Sequence, residues 1–202
     1  MKKLILLFAV LFSITILNAH DGLHIGDVAP DFNLKNINGK MVSLAKNKKA
    51  NGFVVIFTCN HCPYSKAYED RIIALDKKYA ALKYPVIAIS SNDAVQYPDD
   101  DFDNMKKRAK EKGFTFPYLY DETQSIAKQY GALKTPHVFI VSKDKGKLIT
   151  KYIGAIDDNW EDANAVTEKY VENALNNIIE GKNVAVPETK AIGCGIKWKK
   201  TE

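Results

Sequence analysis

Phe53-Val54-Val55-Ile56-Phe57-Thr58-Cys59-Asn60-His61-Cys62-Pro63 is the stretch that decides the fold. Its first half is an unbroken apolar, β-branched and aromatic run, the pattern of a strand buried on both faces. Pro63 opens a helical pattern in which Tyr64, Tyr68, Ile72, Leu75, Tyr79 and Leu82 recur at spacings of three and four. Cys59 and Cys62 therefore stand at a strand-to-helix junction, one helical turn apart. Helix N-termini carry partial positive charge and free N–H groups, which favour a thiolate, here expected on Cys59. C-x-x-C also serves structural zinc, but such a site closes a full tetrahedral set of ligands. No second C-x-x-C occurs in the chain. Reversible disulfide chemistry is the better reading.

Working outward, the chain has 202 residues, enough for one domain with a full core. Its start has the pattern of a secretory signal peptide: Lys2 and Lys3, an apolar run from Leu4 to Leu17, and a small residue at Ala19. The run of 14 residues is short for a membrane span. An uncleaved N-terminal anchor is the alternative. Cleavage after Ala19 would leave 183 residues and lower the formal charge from +5 to +3. That excess is mild and partly sits in the tail at Lys197, Lys199 and Lys200, so nucleic acid is not an expected partner. The expected setting is periplasmic or secreted, off the membrane after cleavage, where disulfides form and persist.

Residues 20–31 read as a lead-in. Short strands are expected at Phe32–Lys35 and Lys40–Leu44 around Asn38-Gly39, a turn pair. Strand Val86–Ser90 follows the first helix, and a helix from Asp99 to Lys112 ends at Gly113. The acids Asp99, Asp100 and Asp101 are read as caps and dipole partners of that helix. Strand Phe116–Tyr120 and helix Thr123–Tyr130 come next. Val138–Ser142 and Leu148–Ile153 then form a hairpin, and Asp157–Glu180 a last helix. The tail, residues 182–202, is expected to be extended, leaving residues 20–181 as the folded domain. This order predicts an α/β arrangement of layers around a mixed sheet with an N-terminal β-hairpin.

The C-x-x-C after the first central strand, with Thr135-Pro136 before a later one, resembles the thioredoxin superfamily over roughly residues 26–181. The resemblance implies a thioredoxin-like three-layer sandwich and a cis Thr135–Pro136 bond whose loop packs beside the dithiol. Gly26-Asp27-x-Ala29-Pro30-Asp31-Phe32, Gly39-Lys40-x-Val42-x-Leu44 and Ile126-Ala127-x-x-Tyr130-Gly131-Ala132 are similar to the peroxiredoxin branch, the alkyl hydroperoxide reductase/thiol-specific antioxidant group, and its exported thiol-reductase relatives. A peroxiredoxin-like set sharing the segments at 58–64, 104–109 and 193–198 resembles the chain further.

That branch reduces peroxides through Pro-x-x-x-Thr-x-x-Cys. With Cys62 as the last position, Val55 and Cys59 replace the Pro and Thr; with Cys59, Gly52 and Ile56 do. Ordinary peroxide reduction is therefore not the expected activity. The resemblance implies instead a thiol-disulfide oxidoreductase acting on a protein thiol or disulfide, with no cofactor beyond the dithiol. Cys59 attacks, Cys62 resolves, Pro136 and Thr135 flank the sulfurs, and Asn60 and His61 tune the couple. A histidine before the second cysteine also occurs in periplasmic disulfide oxidases and protein disulfide isomerase. Those couples are roughly 90–150 mV more oxidising than thioredoxin's.

Two other readings stand beside it. Sco-type copper proteins combine a cysteine pair with a distant histidine on this fold, so Cys59, Cys62 and His137 form a candidate copper set. A non-catalytic adaptor with a stable disulfide is the other. Cys194, in Gly193-Cys194-Gly195, lies about 130 residues downstream. It is a candidate third redox cysteine, with an intermolecular bridge or a free thiol as alternatives.

Overall fold

The computed structural model describes residues 22–200. The signal-peptide expectation at 1–19 lies outside them. Among the described residues no helix is long and apolar enough to cross a membrane.

A seven-stranded mixed sheet forms the centre. In chain order its strands are β1 (Leu34–Asn36), β2 (Met41–Val42), β3 (Gly52–Phe57), β4 (Val86–Ser90), β5 (Tyr118–Tyr120), β7 (His137–Asp144) and β8 (Lys147–Gly154). The short strands β6 (Lys134–Thr135) and β9 (Cys194–Gly195) pair with each other instead. The sheet order is β2-β1-β5-β4-β3-β7-β8. β3, β4 and β5 run parallel; β7 is antiparallel to β3, with His137 opposite Phe57. The N-terminal hairpin joins the β5 edge, pairing Leu34 with Val42 and Lys35 with Tyr120. Gly39 (φ +82°) supplies the left-handed residue of its turn.

Every residue of β3 is buried, because helices cover both faces of the sheet. Val54 and Ile56 point to one core, with Ile72 and Tyr79 of α1 (Pro63–Ala80), Met105 of α2 (Phe102–Lys112) and Leu175 of α4 (Tyr170–Ile179). Phe53, Val55 and Phe57 point to the other, with Phe32, Leu44 and Tyr130 of α3 (Ser125–Tyr130). The result is the three-layer α/β sandwich expected from the alternation of strands and helices.

Pro63 occupies the first turn of α1, and Lys77 and Lys78 stand at its negative end. α1 and α2 are tied by a bidentate pair: Arg108 Nε and an Nη donate to buried Glu69 at 2.6 and 2.7 Å. Asp101 caps α2 by accepting the Asn104 N–H at 2.7 Å, and Gly113 (φ +66°) ends it.

The last helix departs from expectation. It begins at Tyr170, not Asp157. Residues 157–169 are held as a loop by short polar side chains that bond the backbone more readily than a helix permits. Asn159 Oδ1 accepts the N–H groups of Glu161 and Asp162, and Asp158 accepts from the Thr167 N–H and hydroxyl. The loop wraps Arg71, whose guanidinium donates to Asp157 Oδ2 (2.7 Å) and to the carbonyls of Asn159 and Trp160. Trp160 thereby lies against Tyr64, ring centroids 4.2 Å apart.

The tail is fastened across the end of the sheet. The Ile153 N–H donates to the Pro187 carbonyl and the Thr189 N–H to that of Ile153. Asn92 and Gln124 grip residues 197 and 199: Lys197 N donates to Asn92 Oδ1, Gln124 Nε2 to the Lys197 carbonyl, and Lys199 N to Gln124 Oε1. Ile196 enters the second core.

Candidate active site

β3 ends at Phe57, and the Thr58 N–H still donates to the Ile89 carbonyl before the chain leaves the sheet. The next four residues cross to α1. Cys62 is the helix N-cap residue, with extended backbone (φ −66°, ψ 125°), and its carbonyl accepts the Lys66 N–H at 3.0 Å. Cys59 and Cys62 are both free thiols and are 3% and 0% exposed.

The Thr135–Pro136 bond is cis, and its loop faces the sulfurs. Cys62 Sγ donates to the Thr135 carbonyl at 3.2 Å, and Cys59 Sγ lies 3.3 Å from Thr135 Oγ1. Ser65 Oγ is 3.9 Å from Cys59 Sγ. The structure thus brings together Cys59, Cys62 and Thr135, with Pro136 behind them.

Contacts with Cys59 first, and then with Cys194 and the Ser65 N–H, lower the Cys62 thiol against its burial. Cys59 is pushed up by its hydrogen bond with Cys62, by burial and by the charge of Asp100. Both cysteines stand at the N-terminal end of α1, with Cys62 its N-cap residue.

Asp100 is the residue that sequence reasoning missed. It is fully buried and gathers four donors from the junction. Oδ1 accepts the N–H groups of Asn60 (2.7 Å) and His61 (3.1 Å); Oδ2 accepts His61 Nδ1 (2.5 Å) and Asn92 Nδ2 (2.8 Å). Among the three acids only Asp101 caps α2; Asp100 clamps the cysteine loop instead. A run of acids before a helix carries no signal that would single out its middle member. Asn60 is clamped as well, receiving the Tyr118 hydroxyl at 3.0 Å and donating to the Asp99 carbonyl at 2.8 Å. His61 stacks on Tyr97, centroids 5.2 Å apart.

The candidate copper set is not assembled. His137 Nδ1 accepts the Leu133 N–H at 3.3 Å and its ring packs on Phe139 at 4.7 Å, on the second-core side of the sheet. Burial lowers its pKa to about 4. Register explains the placement: His137 lies opposite Phe57 and shares that residue's face. The donors that gather with Cys59 are His61 and Asp100, all within 4.8 Å, and the latter two are bonded to each other.

Cys194 arrives from the far end of the chain. β9 pairs antiparallel with β6, setting Cys194 opposite Thr135. Its half-buried thiol lies near the Cys62 sulfur. Burial and the Cys62 sulfur push it up to about 11.

The chain is similar to proteins of known sequence and structure. A family model described as AhpC/TSA family matches residues 25–150. Thiol-disulfide oxidoreductase ResA of Bacillus anthracis is 29% identical over 132 residues, covering 65% of this chain and 71% of that protein. The crystal structure of an uncharacterized conserved protein from Geobacillus kaustophilus is 40% identical, with a TM-score of 0.82 over 89% of this chain and 94% of that one. A hypothetical protein from Sinorhizobium meliloti 1021 is 31% identical, with a TM-score of 0.82 over 89% of this chain and 97% of that one.

Proposed function

The chain belongs to the AhpC/TSA family, and we propose that within it the protein is a thiol-disulfide oxidoreductase whose redox group is the Cys59–Cys62 dithiol. The observation that carries this is the pair of sulfurs at the start of α1, both against Thr135 of the cis loop. Nothing at Gly52, Val55, Ile56 or Cys59 supplies the Pro and Thr of a peroxide-binding motif, so disulfide exchange is the favoured chemistry.

In the oxidising direction an incoming thiolate attacks Cys59 Sγ of the Cys59–Cys62 disulfide. A mixed disulfide forms at Cys59 and Cys62 leaves as the thiolate. Low thiol pKa makes a good leaving group, and the contacts around Cys62 lower its thiol. A second substrate thiolate then releases Cys59, which takes up a proton. The reducing direction runs the same steps backward: Cys59 attacks a substrate disulfide, and Cys62 resolves the mixed disulfide.

The substrate class is a protein thiol or disulfide. The setting is extracytoplasmic, supported by Lys2, Lys3 and the apolar run from Leu4 to Leu17. The test is reduction of insulin disulfides by dithiothreitol with the wild type, Cys59→Ser and Cys62→Ser. Both variants are expected to lose the acceleration while keeping the wild-type circular dichroism. Unchanged acceleration in Cys59→Ser refutes the reading.

A further inference from the structure

The two dithiol sulfurs are almost wholly covered, and part of the cover is the tail strand that carries Cys194. Cys194 is the most exposed of the three thiols, half-buried where Cys59 and Cys62 are buried. The approach is close by construction. A Cβ at Gly193 would stand 2.2 Å from the Thr135 carbonyl oxygen, so only glycine lets the tail backbone lie this near the cis loop. Thr135 is also the residue to which both buried sulfurs are bonded. One backbone position thus orders Cys59, Cys62 and Cys194 around itself. Fastening by Asn92, Gln124 and buried Ile196 holds this register.

We propose that Cys194 is a relay thiol, which exchanges with Cys62 and carries the disulfide from the buried pair to the surface strand. The inference rests on the dithiol reading above. In the exchange, the Cys194 thiolate attacks Cys62 Sγ of the Cys59–Cys62 disulfide. The Cys62–Cys194 bond forms, the Cys59–Cys62 bond breaks, and the proton given up by Cys194 ends on Cys59. No electrons are gained or lost in this step. A partner protein's thiolate then attacks Cys194 Sγ, forming a mixed disulfide there and expelling Cys62. A second partner thiolate resolves it, so the partner leaves oxidised by two electrons and all three cysteines are reduced. Cys59 is thus the leaving sulfur of the internal exchange, and Cys62 the leaving sulfur when the partner attacks Cys194.

Full-length Cys59→Ser protein, treated with oxidised glutathione and mapped by peptide mass spectrometry after thiol blocking, tests this. The expected product is a monomer with an intramolecular Cys62–Cys194 disulfide. Cys62→Ser, which keeps Cys59 and Cys194, is expected to stay unbridged. Adding Gly193→Ala to Cys59→Ser displaces β9 and is expected to slow bridging by at least about tenfold. Two persistent free thiols in Cys59→Ser, equally fast bridging in Cys62→Ser, or no effect of Gly193→Ala overturns the relay. The wild type, mapped in parallel, separates the two claims. A Cys59–Cys62 disulfide there without bridging in Cys59→Ser removes the relay alone. Neither a Cys59–Cys62 nor a Cys62–Cys194 disulfide in the wild type removes both.

Discussion

Replacing Asp100 by Asn tests how the site sets the potential of its dithiol. The substitution keeps shape but removes a negative charge. An Asp100 oxygen lies within 4.8 Å of Cys59 Sγ. At an effective dielectric constant of about 20, unit charges at that distance repel by about 3 kcal/mol, or about two pKa units. The reduced dithiol carries one negative charge shared between Cys59 and Cys62, so the penalty on the reduced form is at most this limit, about 1–3 kcal/mol. Removing it stabilises the reduced form and raises the potential by about 20–60 mV, at about 30 mV per 1.4 kcal/mol. The Asn amide also opposes one of the donors on Oδ2, His61 Nδ1 or Asn92 Nδ2, costing about 1.5–3 kcal/mol of stability in both redox states. The assay is redox equilibrium against glutathione in a Cys194→Ser background, where a single couple titrates. A potential that stays put or falls in Asp100→Asn refutes the electrostatic argument.

Two further outcomes follow from the packing. Arg71→Met removes the cation from buried Asp157 and the donors to the Asn159 and Trp160 carbonyls; unfolding in urea should show a loss of about 3 kcal/mol, and a loss below about 1 kcal/mol contradicts the assigned role of the loop. His137 has a folded pKa of about 4 against an ordinary value of 6.5, because burial disfavours its cation. The unfolded chain therefore binds the proton first: the contribution of His137 is complete above about pH 6.5 and is lost as pH falls toward 4, up to about 3 kcal/mol. His137→Asn should flatten that part of the pH–stability curve, and an unaltered slope contradicts it.

Much of this was legible in the residues. The apolar run at 53–57 is a strand buried on both faces because nothing in it is polar, and Cys59-x-x-Cys62 with Thr135-Pro136 identifies its own neighbours. Signals fail where a side chain's partner is distant. Asp100 looks like its neighbours Asp99 and Asp101, and only the return of Asn60, His61 and Asn92 around it sets it apart. The start of α4 was misplaced because the apolar periodicity from Trp160 onward is helical, while Asp158 and Asn159 bind their own loop. Cys194 is ordered by a pairing with Thr135 that no local pattern encodes, since β9 has only two residues. His137 illustrates alternation: one residue beyond the cis proline, strand register turns it away from the sulfurs.

The reduction potential of the Cys59–Cys62 couple, measured against glutathione in Cys194→Ser protein, tests the central claim most directly. A working redox centre whose reduced dithiol holds a thiolate predicts a value above thioredoxin's, that is above about −270 mV. A value below about −300 mV, the range of inert structural disulfides, would contradict it.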